Sequence, residues 1–159
     1  MTINIVENKL YVNIKKRSKP VKYLVVHCSA TQNLLKYHWK DIDAMHRGQG
    51  WACIGYHFVI CTDGTIERGR PIDAIGAHAK GFNDESIGIC LIGGVDSKGK
   101  SVDNFTQAQK KSLGELLGEL KENYPSATVL GHRDLGAKKD CPCFDVKPWW
   151  REYCENSYK

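Results

Sequence analysis

The chain has 159 residues, which at roughly 100–200 residues per domain leaves room for one compact domain. Its 42% hydrophobic and 26% charged residues exclude a disordered or collagen-like chain, and 23 Lys+Arg against 18 Asp+Glu leave a formal charge of +5. Apolar runs such as Leu24-Val25-Val26 and Ile89-Cys90-Leu91-Ile92 fall far short of the roughly 18 residues that a membrane span needs, so no span is expected.

Residues 1–20 read as an N-terminal extension ahead of a domain at 21–159. Ile3, Ile5, Leu10, Val12 and Ile14 alternate loosely around the turn residues Glu7-Asn8-Lys9, which predicts a small hairpin or an edge strand. The basic cluster follows these apolar residues and there is no long apolar core, so a secretory signal is not expected and synthesis in the cytoplasm is. The cluster itself, Lys15-Lys16-Arg17 with Lys19 and Lys22, lacks the interleaved aromatics of a nucleic-acid stacking surface. Nucleic acid is therefore not an expected partner, and the positive charge reads as a solubility feature.

Residues 22–27 are β-branched and short, a buried strand ending on His27. From 37 to 49, Trp39, Ile42, Met45 and His46 recur at helical steps before Gly48 and Gly50 stop the helix. Residues 55–61 predict a strand, and Thr62-Asp63-Gly64 turns it into a short return strand over 65–68. Another buried strand runs over 86–92. Thr106 and Gln109 form a capping box for a helix whose stripe is Leu113, Leu116, Leu117 and Leu120. On that helix Gly114 and Gly118 read as a close approach to a sheet, because the flanking charges exclude a lipid-facing dimer motif. A strand over 128–130, then His132, a polar loop and a last helix near Pro148-Trp149-Trp150 complete the order. The fold class is α/β, bordering on α+β: a mixed central sheet flanked by helices.

Seven cysteines are an odd number, and they fall below the roughly 8–10% share that marks a disulfide scaffold. In a reducing compartment free thiols and metal ligands are the expected uses. His27 and His132 end or follow strands, and Cys141 lies in the loop beyond. Imidazole and thiolate are preferred zinc donors, and three protein ligands with an open position make a catalytic site. The spacing alone leaves ordinary packing histidines as the alternative.

The ordered motifs His27-Cys28-Ser29-Ala30-Thr31, Gly55-Tyr56-His57-Phe58, Asp63-Gly64-Thr65, Gly76-Ala77-His78-Ala79-Lys80-Gly81-Phe82-Asn83, Ser86-Ile87-Gly88-Ile89, Gly131-His132 and Cys141-Pro142 narrow this further. Together they resemble the type 2 N-acetylmuramoyl-L-alanine amidases, a family that includes bacteriophage lysozyme-type amidases and peptidoglycan recognition proteins. The resemblance runs from about Lys22 to Trp150 and looks closest to the phage enzymes.

The resemblance implies a zinc hydrolase, one zinc per chain, that cuts the amide between N-acetylmuramic acid and the L-alanine of peptidoglycan. The positions matching the metal ligands are His27, His132 and Cys141; those matching the catalytic tyrosine and lysine are Tyr56 and Lys139. On strand alternation Tyr56 shares a face with Phe58 and Ile60, opposite His57, Val59 and Cys61. Lys139, two residues before Cys141, points to the cysteine's side and is preferred to Lys138. His78 and Asn83 border the substrate cleft in the family and are candidate substrate contacts. Cys143 departs from the usual residue after Cys-Pro and reads as a small packed residue, as do Cys28, Cys53, Cys61, Cys90 and Cys154. His38, His46 and His57 are assigned to packing or surface, and Trp149 and Trp150 to anchoring the last helix.

The implied protein is a monomeric phage or prophage endolysin with peptidoglycan as its partner. It would be made in the cytoplasm and act on the cell wall after holin-type lysis or export as a secreted effector. The alternative from another class is a non-catalytic peptidoglycan-binding protein, which would replace the ligand cysteine. Regulatory binding to a phage RNA polymerase, known among short phage relatives, cannot be read from these residues.

Overall fold

A computed structural model describes residues 3–10, 13–137 and 139–157. Val12 and Lys138, named above, lie outside the described residues. The strands are β1 (Ile5–Val6), β2 (Tyr23–Cys28), β3 (Phe58–Ile60), β4 (Ile66–Arg68), β5 (Ser86–Leu91) and β6 (Thr128–Gly131). The helices are α1 (Trp39–Gly48), α2 (Gln107–Asn123) and α3 (Val146–Ser157). The six strands form one mixed sheet in the order β1-β4-β3-β5-β2-β6, antiparallel only between β3 and β4.

The central strands β2 and β5 are covered on both faces, which is why they read as nearly continuous apolar runs. Alternation then sorts their side chains. Leu24 and Val26 of β2, Phe58 and Ile60 of β3, and Ile87, Ile89 and Leu91 of β5 join one core with the leucines of α2 and with Val146, Trp149 and Trp150 of α3. Val59 and Cys90 face the other way and pack with Ile42 of α1 and with Ile54 and Ile92. His27, one residue beyond Val26, is carried by the same alternation to the α1 face.

The capping box of α2 forms as predicted: Gln109 N donates to Thr106 Oγ1 at 3.1 Å and Thr106 N to Gln109 Oε1 at 3.0 Å. The fully buried Gln109 also donates through Nε2 to the carbonyls of Ile60 and Ile92, tying the helix start to the ends of β3 and β5. Gly114 departs from expectation. A Cβ there would lie 2.2 Å from the Tyr153 ring, so this glycine admits α3 and not the sheet; nothing lies within 4 Å of a Cβ at Gly118. Cys154 is half-buried, in contrast to the buried Cys28, Cys53, Cys61 and Cys90.

β1 pairs in parallel with β4 at the sheet edge. Asn8 extends this contact by donating to the carbonyls of Arg68 and Gly69. No helix among the described residues is long and apolar enough to cross a membrane.

Candidate active site

Three elements deliver the chemistry to one end of the sheet. His27 is the penultimate residue of β2, and His132 opens a short 3-10 turn directly after the neighbouring strand β6. The loop that follows brings Cys141 back to them. One ligand atom from each of His27, His132 and Cys141 lies within 4.8 Å of the others, with Cys141 Sγ 3.9 Å from His27 Nδ1. The Cys28 amide donates to Cys141 Sγ at 3.2 Å.

The direction of the His27 lone pair follows from a buried chain of hydrogen bonds, read from its far end. The Phe82 carbonyl can only accept, so Ser86 Oγ spends its single proton there, at 2.7 Å. Ser86 Oγ must then accept from His78 Nε2 at 3.2 Å, which leaves a lone pair on His78 Nδ1. His27 Nε2 donates to that lone pair at 2.8 Å. The remaining His27 nitrogen, Nδ1, therefore presents its lone pair toward Cys141. Burial, together with the neighbouring His78 and His132 rings, holds His27 well below the usual histidine range, and burial does the same to His78. Both rings are neutral at pH 7.

His78 is thus buried and turned into the protein, and neither an ordinary surface histidine nor an outward-facing one. Asn83 Oδ1 accepts from the amides of His78 and Ala79 at 2.9 Å, clamping the loop that carries His78. Both residues line the cleft, but these hydrogen bonds are spent on positioning. The His78–Ser86 link was not anticipated from sequence. Its one visible cue is the alternation Ser86, Gly88, Cys90, a row of small residues on the face of β5 beside His27. A Cβ on Gly88 would come within 2.6 Å of the His78 ring, so only glycine leaves room for it.

Tyr56 stands over the metal-ligand candidates, its ring centroid 4.9 Å from that of His27. It reaches them from a different face than predicted: it packs with Val59's cluster, whereas Phe58 and Ile60 join the opposite core. The strand begins only at Phe58 and His57 lies in a bend, so alternation does not extend back to Tyr56. His57 turns away, accepting from Gly88 N and bonding the Ala74 carbonyl. Burial keeps the Tyr56 phenol well above its usual range, hence protonated.

Lys139 is exposed and lines the same cleft as Cys141. Cys143 points elsewhere, with Sγ 3.3 Å from the Gly94 carbonyl and 4.0 Å from Cys28 Sγ, and burial raises its thiol to about 11. His46 packs on Trp51, with ring centroids 4.4 Å apart. The cleft above the cluster is open, about 640 Å³, with Met45, Gln49 and Trp51 on the α1 side and Ala77, Lys80 and Ala137 opposite.

The N-acetylmuramoyl-L-alanine amidase family model matches residues 17–144. The chain belongs to this family. It is 46% identical over 141 residues to the endolysin of Klebsiella phage KP32, covering 89% of this chain and 92% of that one. Among solved structures, the endolysin N-acetylmuramoyl-L-alanine amidase LysCS from Clostridium intestinale aligns with a TM-score of 0.79 at 30% identity, over 98% of this chain and 95% of the other. Bumblebee PGRP-SA, at 21% identity, shares the fold with a TM-score of 0.78 over 96% of each chain. The amidase is accordingly an N-acetylmuramoyl-L-alanine amidase of endolysin type, a peptidoglycan-degrading hydrolase.

Proposed function

We propose that the amidase holds one catalytic zinc ion on His27, His132 and Cys141 and hydrolyses the amide between the lactyl group of N-acetylmuramic acid and L-alanine. The observation that carries this reading is the convergence of two imidazoles and a thiol at the floor of an open cleft, with the His27 lone pair directed at the cysteine. The donor set fits zinc, which favours nitrogen and sulfur ligands and keeps an open position in catalytic sites. When bound, zinc supplies a water whose pKa falls to about 7 and a Lewis acid for the scissile carbonyl.

The chain's own residues do the rest. His78 holds His27 in one tautomer and orientation, and Asn83 holds the His78 loop. The protonated Tyr56 phenol donates a hydrogen bond to the oxyanion that develops as the carbonyl becomes tetrahedral. Lys139, from the rim, places an ammonium beside the same charge.

The site is completed by a single chain, which supports action as a monomer, and its substrate places that action at the cell wall. Digesting purified peptidoglycan with and without chelator tests the reading. Mass analysis should find stem peptides with a free L-alanine amino terminus, lost with chelator and restored by zinc. Full activity of metal-free protein would overturn it.

A further inference from the structure

Outside the cleft, a second group of metal-ligating side chains converges from three elements. His38 immediately precedes α1, Cys61 directly follows β3, and Glu67 sits in the middle of β4. The β3–β4 register, Ile60 opposite Ile66, brings Cys61 and Glu67 together on the α1 side, and the start of α1 lays His38 over them. Cys61 and Glu67 are buried, while the His38 side chain is 48% exposed.

The three side chains are joined by hydrogen bonds close to the separations of ligands around one ion. His38 Nδ1 is 3.1 Å from Glu67 Oε2, Cys61 Sγ is 3.2 Å from Glu67 Oε1, and Cys61 Sγ is 3.6 Å from His38 Nδ1. Tetrahedral zinc, with Zn–S of about 2.3 Å and Zn–N and Zn–O of about 2.0–2.1 Å, sets donor-to-donor separations of about 3.3–3.6 Å. The carboxylate turns Oε2 to His38 and Oε1 to Cys61, and one ligand atom from each of the three residues lies within 4.8 Å of the others, so small side-chain adjustments would bring them around one ion.

We propose that His38, Cys61 and Glu67 form a second metal site, selective for a borderline-soft divalent cation of the zinc type. The mixed nitrogen, sulfur and oxygen donors argue against calcium and magnesium, which take oxygen ligands. Glu67 Oε1 also accepts from the Trp39 amide at 2.8 Å, and a carboxylate has enough lone pairs to keep that bond while ligating. On binding, the Cys61 thiol proton leaves to solvent and the His38 proton resides on the outward Nε2, freeing the Nδ1 lone pair. Solvent at the exposed His38 edge provides the fourth ligand. None of the three residues lines the catalytic cleft, so the ion ties the start of α1, one wall of that cleft, to the hairpin of β3 and β4.

Equilibrium dialysis of the full chain against a modest excess of zinc, followed by metal quantification, tests the site. The wild type should hold two zinc ions, His38→Ala and Cys61→Ala one each, and Cys141→Ser one. His38 is exposed, so His38→Ala keeps the test informative if Cys61→Ala fails to fold. Loss of His38 should weaken the second ion by more than about 100-fold, beyond the 10–100-fold expected of an outer-shell residue. With cobalt in place of zinc, the Cys141→Ser protein should retain a thiolate-to-cobalt absorption band. A wild type that saturates at one zinc, or a His38→Ala protein that still binds two, would overturn the proposal.

Discussion

Among the described residues, two clusters bring a histidine and a cysteine within metal-ligand distance, and they differ in their third donor and in what surrounds them. At His27, His132 and Cys141, a buried chain through His78 and Ser86 aims one imidazole lone pair, and an open cleft lies above it. At His38, Cys61 and Glu67, the carboxylate caps a helix amide and the cluster faces a packed helix start. The lesson is that donor chemistry decides which ion is held, while the second layer and the space above it decide whether anything can react there.

The largest break in this comparison should come from the proposed zinc ligands of the cleft. His27→Ala is expected to reduce turnover on purified peptidoglycan to background and to remove the cleft's zinc, while a second ion at His38 persists. Next, Tyr56→Phe and Lys139→Ala should each keep zinc but lose about 10²–10³ in turnover, the range for removing one donor to a developing oxyanion. Unchanged kcat in either variant would remove that side chain from the mechanism.

A smaller effect should separate positioning from ligation. His78→Ala is expected to cost about 10–100-fold in zinc affinity or activity, as losses of an outer-shell partner do. Gly88→Ala should produce a similar loss without removing a polar group, because its methyl group collides with the His78 ring. Zinc titrations of the two variants that fail to track one another would separate these roles.

A last effect, on stability and not on activity, concerns pH and reads the buried histidines. Burial lowers the His57 pKa from 6.5 to about 4, so below pH 6.5 the unfolded chain binds protons that the folded chain refuses. Stability should fall with pH between about 6.5 and 4, by roughly 3 kcal/mol from His57 when fully developed, with His27 and His78 acting in the same direction. Urea unfolding midpoints measured across that window check it; a flat profile would mean that these rings are not buried neutral.

Much of the frame was legible because it depends on local pattern. β2, β5 and the capped α2 follow from apolar runs and a Thr-to-Gln spacing, and the ordered motifs single out His27, His132 and Cys141, which the fold brings together. What escaped depends on tertiary placement. Tyr56 changes faces because a bend precedes β3. His78 is drawn inside by space left at Gly88, and Gly114 meets Tyr153 of a helix far along the chain. Cys61 reads as an apolar-strand cysteine until the hairpin register sets it beside Glu67.

Cys141, and not Cys143, is the thiol that the proposed site requires. Digestion of purified peptidoglycan by Cys141→Ser and Cys143→Ser, read by mass analysis of released stem peptides, tests it. Cys143→Ser should release peptides beginning with L-alanine at near the wild-type rate, and Cys141→Ser should release none. An active Cys141→Ser protein beside an inactive Cys143→Ser protein would contradict the assignment of the site.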